Sequence, residues 1–462
     1  MDKISGFYEY LKGKTVAFIG AGVSHKECIE IFAQKGARVT LCDKKRLQDF
    51  GDYADRLKAL NVELSLGEGY LDGLCGKDII MRTPGFEYYT QELQDARAKG
   101  ACVTSEMELF FALCPCKIIA ITGSDGKTTT STLIAEMMSA AGHMVHLGGN
   151  LGRALLPVID SIKPQDYAVV ELSSFQLISM RTSPDIAVVT NVTPNHLDHH
   201  KDLQEYIDAK RNILLYQSKE SKAVLGYEND ITRKMQNDVK GELSWFSRLS
   251  VLENGAFLRD DGMLCLAENG KVQPVLHKSE IALRGEHNIE NLLAAMQAVK
   301  GLCPISAMAE VAKSFGGVEH RIEPVRKLDG VMYYNDSIAT SPTRVIAGLR
   351  AFNQKLIIIA GGYDKNIPYE PLAPVILTNV KILILMGATA AKIEAAVKAE
   401  SGYAQSGIVI LHAEDMQKAV QLAHDNAKNG DIVSLSPASA SFDLYPNFEA
   451  RGRHYKDIVN AL

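Results

Sequence analysis

The strongest chemical signal in the sequence is a glycine-rich loop, GSDGKT, that runs from Gly123 to Thr128. It follows the strand-like run KIIAIT and opens a long helical segment. Glycines in such a loop let backbone N–H groups surround a phosphate, and the helix N-terminus adds a favourable potential. Lys127 would reach the β- and γ-phosphates, and the Thr128 hydroxyl would bind Mg²⁺. Counted from Gly123 the loop is two residues shorter than the general pattern, but its context predicts ATP binding over a chance glycine turn.

A carboxylate ends the next apolar strand. The run YAVVELSSFQL places Glu171 at the carboxyl edge of a strand, where ligands gather in α/β sheets. An ionised carboxylate there suits Mg²⁺, which prefers hard oxygen ligands. A helix-capping or surface glutamate is the alternative that this motif alone leaves open.

Three histidines follow a further strand, IAVVTNVT, within the run PNHLDHH. Their spacing suggests zinc, but no cysteine or suitably spaced histidine completes such a site. We expect His199 and His200 to face solvent, whereas His196 and Asp198 are better site candidates. The amphipathic helix DLQEYIDAKRNILLYQ comes next and carries Lys210, which would be an ordinary exposed lysine without further context.

The elements that must position these residues repeat along the chain. A strand, a glycine turn and a helix start three times, at TVAFIG, KIIAIT and VMYYND, which predicts mostly parallel sheets in α/β domains. A chain of 462 residues has room for three domains. We predict a Rossmann-like domain over 1–112, a P-loop domain over 113–318 and a Rossmann-like domain over 319–462. The stretch 220–275 suggests short antiparallel strands appended to the central domain.

Composition and charge exclude several functions. The net charge of −5, with no long basic run, argues against a nucleic-acid or membrane-surface partner. Apolar runs stay far below the roughly 20 residues of a membrane span. We expect no signal peptide, and the eight scattered cysteines form no CxxC pair, which is typical of reduced core residues. These features predict a cytoplasmic protein without membrane insertion.

The N-terminal turn could be mistaken for a nicotinamide site. Gly20 and Gly22 follow a strand and Asp43 ends the next strand, as in a dinucleotide-binding fingerprint. The third glycine of that fingerprint would stand at position 25, where this chain has His25. A broken fingerprint is weak evidence for NAD.

Motifs along the whole chain resemble the ATP-dependent muramyl ligases. In order they are GSDGKTTT, ELSSFQL, NVTPNHLDHH, YIDAKRNIL, GEHNIENLLAA, EHRIEPV and LSPASASFDLYPNFEARGRHY. The first two are shared with folylpolyglutamate synthetases, whereas NDSIATSP, GGYDK and the ending look specific to members that add D-glutamate. The resemblance implies an acid–D-amino-acid ligase that joins D-glutamate to UDP-N-acetylmuramoyl-L-alanine through an acyl phosphate. ADP and phosphate would be released, in peptidoglycan synthesis for the cell wall, cell shape and cell division.

The same resemblance implies roles for residues around ATP. Catalytic roles fall to Lys127, Lys210 and His196. Two Mg²⁺ ions would be held by Thr128, Glu171, His196 and Lys210, with Lys210 carbamylated by CO₂. Carbamylation needs a neutral amine, so burial or a neighbouring charge must lower the pKa of this lysine. The implied ATP contacts are Gly123, Ser124, Asp125, Gly126, Lys127, Thr128, Thr129, Asn288, Asn291, Arg321 and Asp336.

Two further sets of contacts are implied by the resemblance. The N-terminal domain would bind the uridine nucleotide of the sugar substrate in place of NAD. The implied contacts of the UDP substrate are Gly22, Val23, Ser24, Asp43, Thr83, Gly85, Asn150 and Ser173. Those of D-glutamate are Thr340, Lys365, Ser441 and Phe448.

Other readings stay open at this point. A sibling ligase would add alanine or a diamino acid, or would add glutamate to folate. A P-loop kinase or motor ATPase would form ADP without consuming an amino acid. A nucleotide-sugar sensor would bind its ligand without catalysing a reaction. Two residues depart from the family pattern: Asp125 replaces the usual asparagine, and Ile338 stands where many relatives have lysine. We expect a monomer.

Overall fold

The computed structural model describes residues 2–151, 154–194, 200–283, 285–365 and 367–462, with only the backbone of Val23. Two compact units make up the chain, one ending at Phe315 and one spanning Gly316–Leu462. The first unit contains two β-sheets and the second contains one. None of the helices in this described part of the chain has the length and hydrophobicity needed to cross a bilayer.

The first sheet of the described residues is fully parallel, in the order β3-β2-β1-β4-β5. Its central strands are apolar runs buried on both faces by helices, as parallel sheets require. The strand order reverses beside β1, so the carboxyl ends of β1, β2 and β4 surround the crevice where ligands bind in such folds. The strands are β1 (Thr15–Ile19), β2 (Arg38–Asp43), β3 (Glu63–Leu66), β4 (Ile79–Arg82) and β5 (Cys102–Thr104). The helices are α1 (Lys3–Leu11), α2 (Val23–Gln34), α3 (Tyr53–Ala59), α4 (Gln91–Ala98) and α5 (Glu106–Leu113).

The second sheet has the order β14-β13-β12-β11-β10-β9-β6-β8-β7 in the described residues. Its strands are β6 (Lys117–Thr122), β7 (Val145–Gly149), β8 (Tyr167–Glu171), β9 (Ile186–Val189), β10 (Lys222–Gly226), β11 (Glu242–Ser247), β12 (Gly255–Leu258), β13 (Met263–Glu268) and β14 (Lys271–His277). The helices are α6 (Lys127–Ala140), α7 (Ser174–Leu177), α8 (Leu203–Leu215), α9 (Asp230–Lys234), α10 (Glu286–Val299) and α11 (Ile305–Ser314). Because β6 lies between β8 and β9, the loops that follow these three strands meet at one edge.

The antiparallel prediction for 220–275 is wrong for part of that stretch. Strands β10, β11 and β12 continue the parallel sheet, and within the described residues of this stretch the antiparallel pairs are β12 with β13 and β13 with β14. The reason is burial: β10 is an apolar run covered by α10, so it takes a central position.

The third sheet, in the second unit, has the order β15-β16-β20-β17-β18-β19, and within the described residues only β15 and β16 pair antiparallel. Its strands are β15 (Glu323–Leu328), β16 (Val331–Asn335), β17 (Leu356–Ala360), β18 (Val380–Leu385), β19 (Val409–His412) and β20 (Ile432–Leu435). The helices are α12 (Pro342–Leu349), α13 (Ala373–Asn379), α14 (Ala390–Ala399), α15 (Tyr403–Ser406), α16 (Met416–Asn426) and α17 (Phe448–Ala461).

The hydrophobic cores explain the division into units. One buried cluster contains Phe18 and Phe32 beside the first sheet together with Ile118 and Val170 of the second. Separate clusters fill both faces of the third sheet. The predicted fold class, three α/β regions built on mostly parallel sheets, is confirmed, whereas the boundaries at 112 and 318 stay predictions.

Candidate active site

The glycine loop lies between β6 and α6 as predicted. Gly126 has a φ of +80°, and a Cβ atom there would lie 2.1 Å from Asn291 Oδ1. At Gly123, φ is +151° and a Cβ atom would lie 1.8 Å from Thr190 Oγ1. The same hydroxyl donates to the Asp125 carbonyl at 2.6 Å. Glycine is therefore required at both positions, because the backbone conformation and the neighbouring side chains exclude a Cβ atom.

Side chains of the loop anchor it to the segment after β9. Ser124 Oγ donates to the Thr193 carbonyl at 2.9 Å and lies 2.9 Å from the Tyr206 hydroxyl. The Asp125 N–H donates to Asn191 Oδ1 at 3.0 Å, and the Asp125 carboxylate is exposed. Any contact of Ser124 with a phosphate would therefore use its backbone, because its hydroxyl is engaged in holding the loop.

Glu171 is a buried carboxylate with a polar partner on each oxygen. It ends β8 and only 2% of it is exposed. Thr128 Oγ1 donates to one carboxylate oxygen at 2.7 Å, and Asn150 Nδ2 donates to the other at 2.7 Å. The surface-glutamate alternative is thus wrong. The structure unites two predicted metal ligands, Thr128 and Glu171, with Asn150, which the sequence assigned to the UDP substrate.

Two lysines converge on the carbonyl of Gly123. Lys127 Nζ lies 2.9 Å from this oxygen and 2.8 Å from the Ser124 carbonyl. Lys210 Nζ lies 2.8 Å from the Gly123 oxygen and 3.3 Å from Thr122 Oγ1. Lys210 is only 1% exposed, so it is not an ordinary surface lysine. Burial, and then the charge of Lys127, lower the pKa of Lys210 well below its usual range.

His200 is buried, so the prediction that it faces solvent is wrong. Its Nε2 lies 2.9 Å from Ser174 Oγ and its Nδ1 lies 3.0 Å from Glu205, while its ring stacks on Phe175. Both ring nitrogens have polar partners, which is why the imidazole can leave water. The candidates His196, Asp198 and His199 lie outside the described residues.

Two of the implied ATP contacts, Asn288 and Asn291, lie on the first turns of α10, next to the glycine loop. Asn291 Oδ1 accepts a weak bond from Thr130 Oγ1 at 3.4 Å, and its Nδ2 donates to Asn288 Oδ1 at 3.1 Å. Both asparagines are buried, as is Thr129. The structure therefore brings these residues to the start of α6. Ser173, predicted as a UDP-substrate contact, is the N-cap of α7.

The N-terminal candidates meet at the carboxyl edge of the first sheet. Asp43 Oδ2 accepts a bond from the Ala21 N–H at 3.0 Å, and a Cβ atom at Gly20 would lie 3.8 Å from Thr83 Cγ2. Gly22 is the N-cap of α2, whose first turn carries Val23 and Ser24. Gly85 follows Thr83 in an exposed position.

His25 fills the place of the missing third glycine. Its Nδ1 lies 2.9 Å from the Gly20 carbonyl, and its ring packs edge-on against Phe18. Burial lowers the pKa of His25 to about 4, so the imidazole is neutral and Nδ1 donates. The His25 side chain therefore stabilises this turn. In a dinucleotide-binding fingerprint, a glycine at this position instead allows close packing of the helix backbone on the strand.

The candidates of the second unit follow three adjacent strands. Asp336 follows β16, Lys365 follows β17 and Ser441 follows β20, so all three lie at one edge. Asp336 is buried and accepts a bond from the Ile322 N–H at 3.2 Å. Burial raises the pKa of Asp336 to about 7, while the charge of Arg321 acts in the opposite direction. Thr340 and Phe448 are half-buried, near Asp336 in the chain and at the start of α17.

Arg451 was not predicted as a site residue. It is buried on α17, and its guanidinium donates to the carbonyls of Ser439 (3.1 Å), Ala440 (3.0 Å) and Ser337 (3.0 Å). Burial lowers the pKa of Arg451 to about 10. The arginine thus ties the loop before Ser441 to the loop after Asp336. In the sequence the run NFEARG carried no sign that this arginine is buried.

Comparison with known proteins gives the same assignment along the chain. Residues 14–105 match the Mur ligase MurD-like N-terminal domain, 121–299 the Mur ligase middle domain, and 320–439 the Mur ligase glutamate ligase domain. The chain is 49% identical to the UDP-N-acetylmuramoylalanine–D-glutamate ligase of Acetivibrio thermocellus, over 100% of this chain and 99% of the relative. It is 48% identical to the enzyme of that name from Clostridium beijerinckii, over 99% and 98%.

A solved structure supports the fold. The UDP-N-acetylmuramate-alanine ligase of Thermotoga maritima superposes with a TM-score of 0.57 at 16% identity, covering 97% of this chain and 99% of that one. At this identity the similarity concerns the fold alone. The domain matches and the full-length relatives go further: this chain belongs to the Mur ligase family.

Proposed function

We propose that this chain joins the amine of D-glutamate to the lactoyl-alanine carboxylate of UDP-N-acetylmuramoyl-L-alanine, with ATP cleaved to ADP and phosphate. The reaction is a step of peptidoglycan precursor synthesis. The observation that carries the proposal is the buried set of Thr128, Glu171 and Lys210 around the glycine loop. Full-length relatives bear the name of this activity.

The residues present fit ATP and Mg²⁺. Two glycines that admit no side chain and the N-terminus of the 14-residue helix α6 form a phosphate cradle. The Thr128 hydroxyl and the Glu171 carboxylate are hard oxygen donors already 2.7 Å apart. A bound Mg²⁺ would offset negative charge on the phosphates.

The substrate carboxylate is a poor electrophile, so the reaction must first attach a leaving group to it. The substrate carboxylate attacks the γ-phosphorus in line and forms an acyl phosphate, and ADP leaves. Lys127 stabilises the charge that develops on the transferred phosphoryl group. The D-glutamate amine then attacks the acyl carbon, a proton is lost from nitrogen, and phosphate departs.

Lys210 works as a carbamate in this proposal. Its ammonium group first loses a proton; the neutral amine then attacks the carbon of CO₂, an N–C bond forms and a second proton is released. The cation thereby becomes an anion able to bind or orient a second Mg²⁺. The depressed pKa and the burial beside Lys127 support this step. His196 is proposed as a further ligand of the second ion.

A rescue experiment tests the carbamate. We expect Lys210→Ala to lose activity and short-chain carboxylates in the buffer to restore part of it. Lys222→Ala is a control, because the Lys222 side chain is only 11% exposed and its pKa is lowered to about 8 by burial, but it donates to the Gln297 carbonyl away from the glycine loop. A fully active Lys210→Ala, or equal rescue of both variants, would contradict the assignment.

The substrate sites are proposed on the remaining edges. The turn after β1, with Gly22, Asp43 and Thr83, would hold the uridine diphosphate group, and the edge with Lys365 and Ser441 would hold D-glutamate. The boundaries 1–112, 113–318 and 319–462 are proposed for the uridine, ATP and amino-acid domains. We further propose a monomer that works in the cytoplasm.

The proposal is tested by supplying ATP, Mg²⁺ and UDP-N-acetylmuramoyl-L-alanine with a panel of amino acids, followed by mass analysis. We expect phosphate release that depends strictly on D-glutamate and a product heavier by one glutamyl residue. A product with alanine or a diamino acid would indicate a sibling ligase. ADP formation without any amino acid would indicate a kinase or motor, and no turnover would indicate a sensor.

A further inference from the structure

Arg82 is a buried cation that the proposed reaction does not use. It is the last residue of β4, directly before the loop that carries Thr83 and Gly85, and it is only 1% exposed. All four residues of β4 are buried. An arginine is costly in such a place unless its donors are satisfied, so its contacts decide what it does.

One terminal nitrogen of the guanidinium holds the loop after β4. This nitrogen donates to the Phe86 carbonyl at 2.8 Å and lies 3.4 Å from the carbonyls of Thr83 and Pro84. The Tyr88 ring packs against the group with its centroid at 5.4 Å. Because several carbonyls of the loop contact this one side chain, the conformation of the loop depends on Arg82.

The other terminal nitrogen of Arg82 holds α7 and the residues just after it. This nitrogen donates to the Phe175 carbonyl at 2.8 Å and to Ser179 Oγ at 3.3 Å. Phe175 lies in α7, which starts three residues after Glu171. Ser179 in turn donates to Glu108 at 3.0 Å. The nearest negative charge in this network is thus reached through a hydroxyl, and the direct partners of the cation are neutral.

We propose that Arg82 is a positioning residue that sets the spacing between the loop 83–86 and α7 for the uridine-nucleotide substrate. A planar fork with fixed donor directions can grip two segments at once, which the single ammonium of lysine cannot do. The inference rests on the proposed function, in which the loop binds the diphosphate end of the substrate and Glu171 lies near its reacting end. Arg82 then keeps both ends in register.

The test is steady-state kinetics of Arg82→Lys, which keeps the charge and removes the fork. We expect the KM for UDP-N-acetylmuramoyl-L-alanine to rise about 10-fold or more, since the lost hydrogen bonds have a charged donor. The KM values for ATP and D-glutamate should stay within about twofold, because their proposed contacts lie elsewhere. Calorimetry with UDP alone should show the same weakening.

Arg97→Lys is the matched control. Arg97 donates to the Tyr88 carbonyl at 3.3 and 3.4 Å and packs on the Tyr88 ring at 4.3 Å. It therefore holds the connection between β4 and α4 just after the loop, and these contacts do not involve α7. We expect a clearly smaller change in this variant. If Arg82→Lys does not fold, Ser179→Ala removes one of the two bonds to the helix side and should raise the same KM by a smaller factor.

The outcomes separate the two proposals. If the unmodified chain does not catalyse ligation, the proposed function is wrong. Ligation with equal kinetics for Arg82→Lys and Arg97→Lys, or an equal rise of all three KM values, would overturn the positioning role and leave the function intact.

Discussion

Asp336 offers the sharpest quantitative prediction, because its ionisation is tied to the stability of the second unit. The pKa of this carboxyl rises from 3.8 to about 7 on folding. Below pH 3.8 it is protonated in both the folded and the unfolded state. As the pH rises, the unfolded chain ionises first, which favours unfolding. The resulting loss of folding stability reaches its full size once the pH exceeds the pKa of Asp336 in the folded state.

The size of the effect follows from these two values. Each tenfold change in proton affinity corresponds to about 1.36 kcal/mol, so the full penalty is about 4 kcal/mol above pH 7. At pH 5 it is about 1.7 kcal/mol, so roughly 2.5 kcal/mol is added between pH 5 and pH 8. Asp336→Asn removes the ionisation. We therefore expect the free energy of unfolding of the variant, relative to that of the unmodified chain, to rise by about 2.5 kcal/mol between pH 5 and pH 8.

Hydrogen exchange of peptides covering residues 316–340 measures this difference, after correction for the intrinsic pH dependence of exchange. The Ile322 amide is a suitable reporter because it donates to Asp336. The ratio of opening constants should change roughly 70-fold between pH 5 and pH 8. The single tryptophan, Trp245, lies in β11 of the first unit, so its unfolding transition is an internal control. A pH-independent difference between the two proteins would refute the reasoning.

Three further predictions concern turnover. Lys127→Ala should lower kcat on the order of 10²–10³-fold, as the loss of a preorganised cation does, and unchanged steady-state turnover would contradict the P-loop assignment. Gly126→Ala should abolish ATP binding in calorimetry, because its Cβ atom would lie 2.1 Å from Asn291 Oδ1 at a φ of +80°; normal affinity would show that the loop can relax. Lys365→Ala, with Ser441→Ala for comparison, should raise the KM for D-glutamate about 10-fold or more, and equal turnover of D- and L-glutamate by the unmodified chain would mean that the acceptor site is misassigned.

The sequence by itself determined the elements and the chemistry carried by local motifs. A strand, a glycine loop and a helix are encoded within about 20 contiguous residues, so the loop from Gly123 to Thr128 could be recognised without any long-range contact. The α/β fold with parallel sheets followed from the same alternation. The edge where Asp336, Lys365 and Ser441 lie could be expected, because the carboxyl ends of parallel strands share one edge.

The tertiary structure alone decided which side chains leave water and which distant residues meet. Lys210 and His200 both look like exposed polar residues in sequence, yet packing of α8 buries them, since burial depends on neighbours that lie far away in the chain. Arg82 reaches α7, some 93 residues away, and Arg451 reaches Ser337, 114 residues away. A hydrophobic pattern tells which face of an element is apolar, but it carries no information on a polar side chain whose partners are backbone carbonyls of another segment. Those contacts arise only when the sheets and loops are assembled.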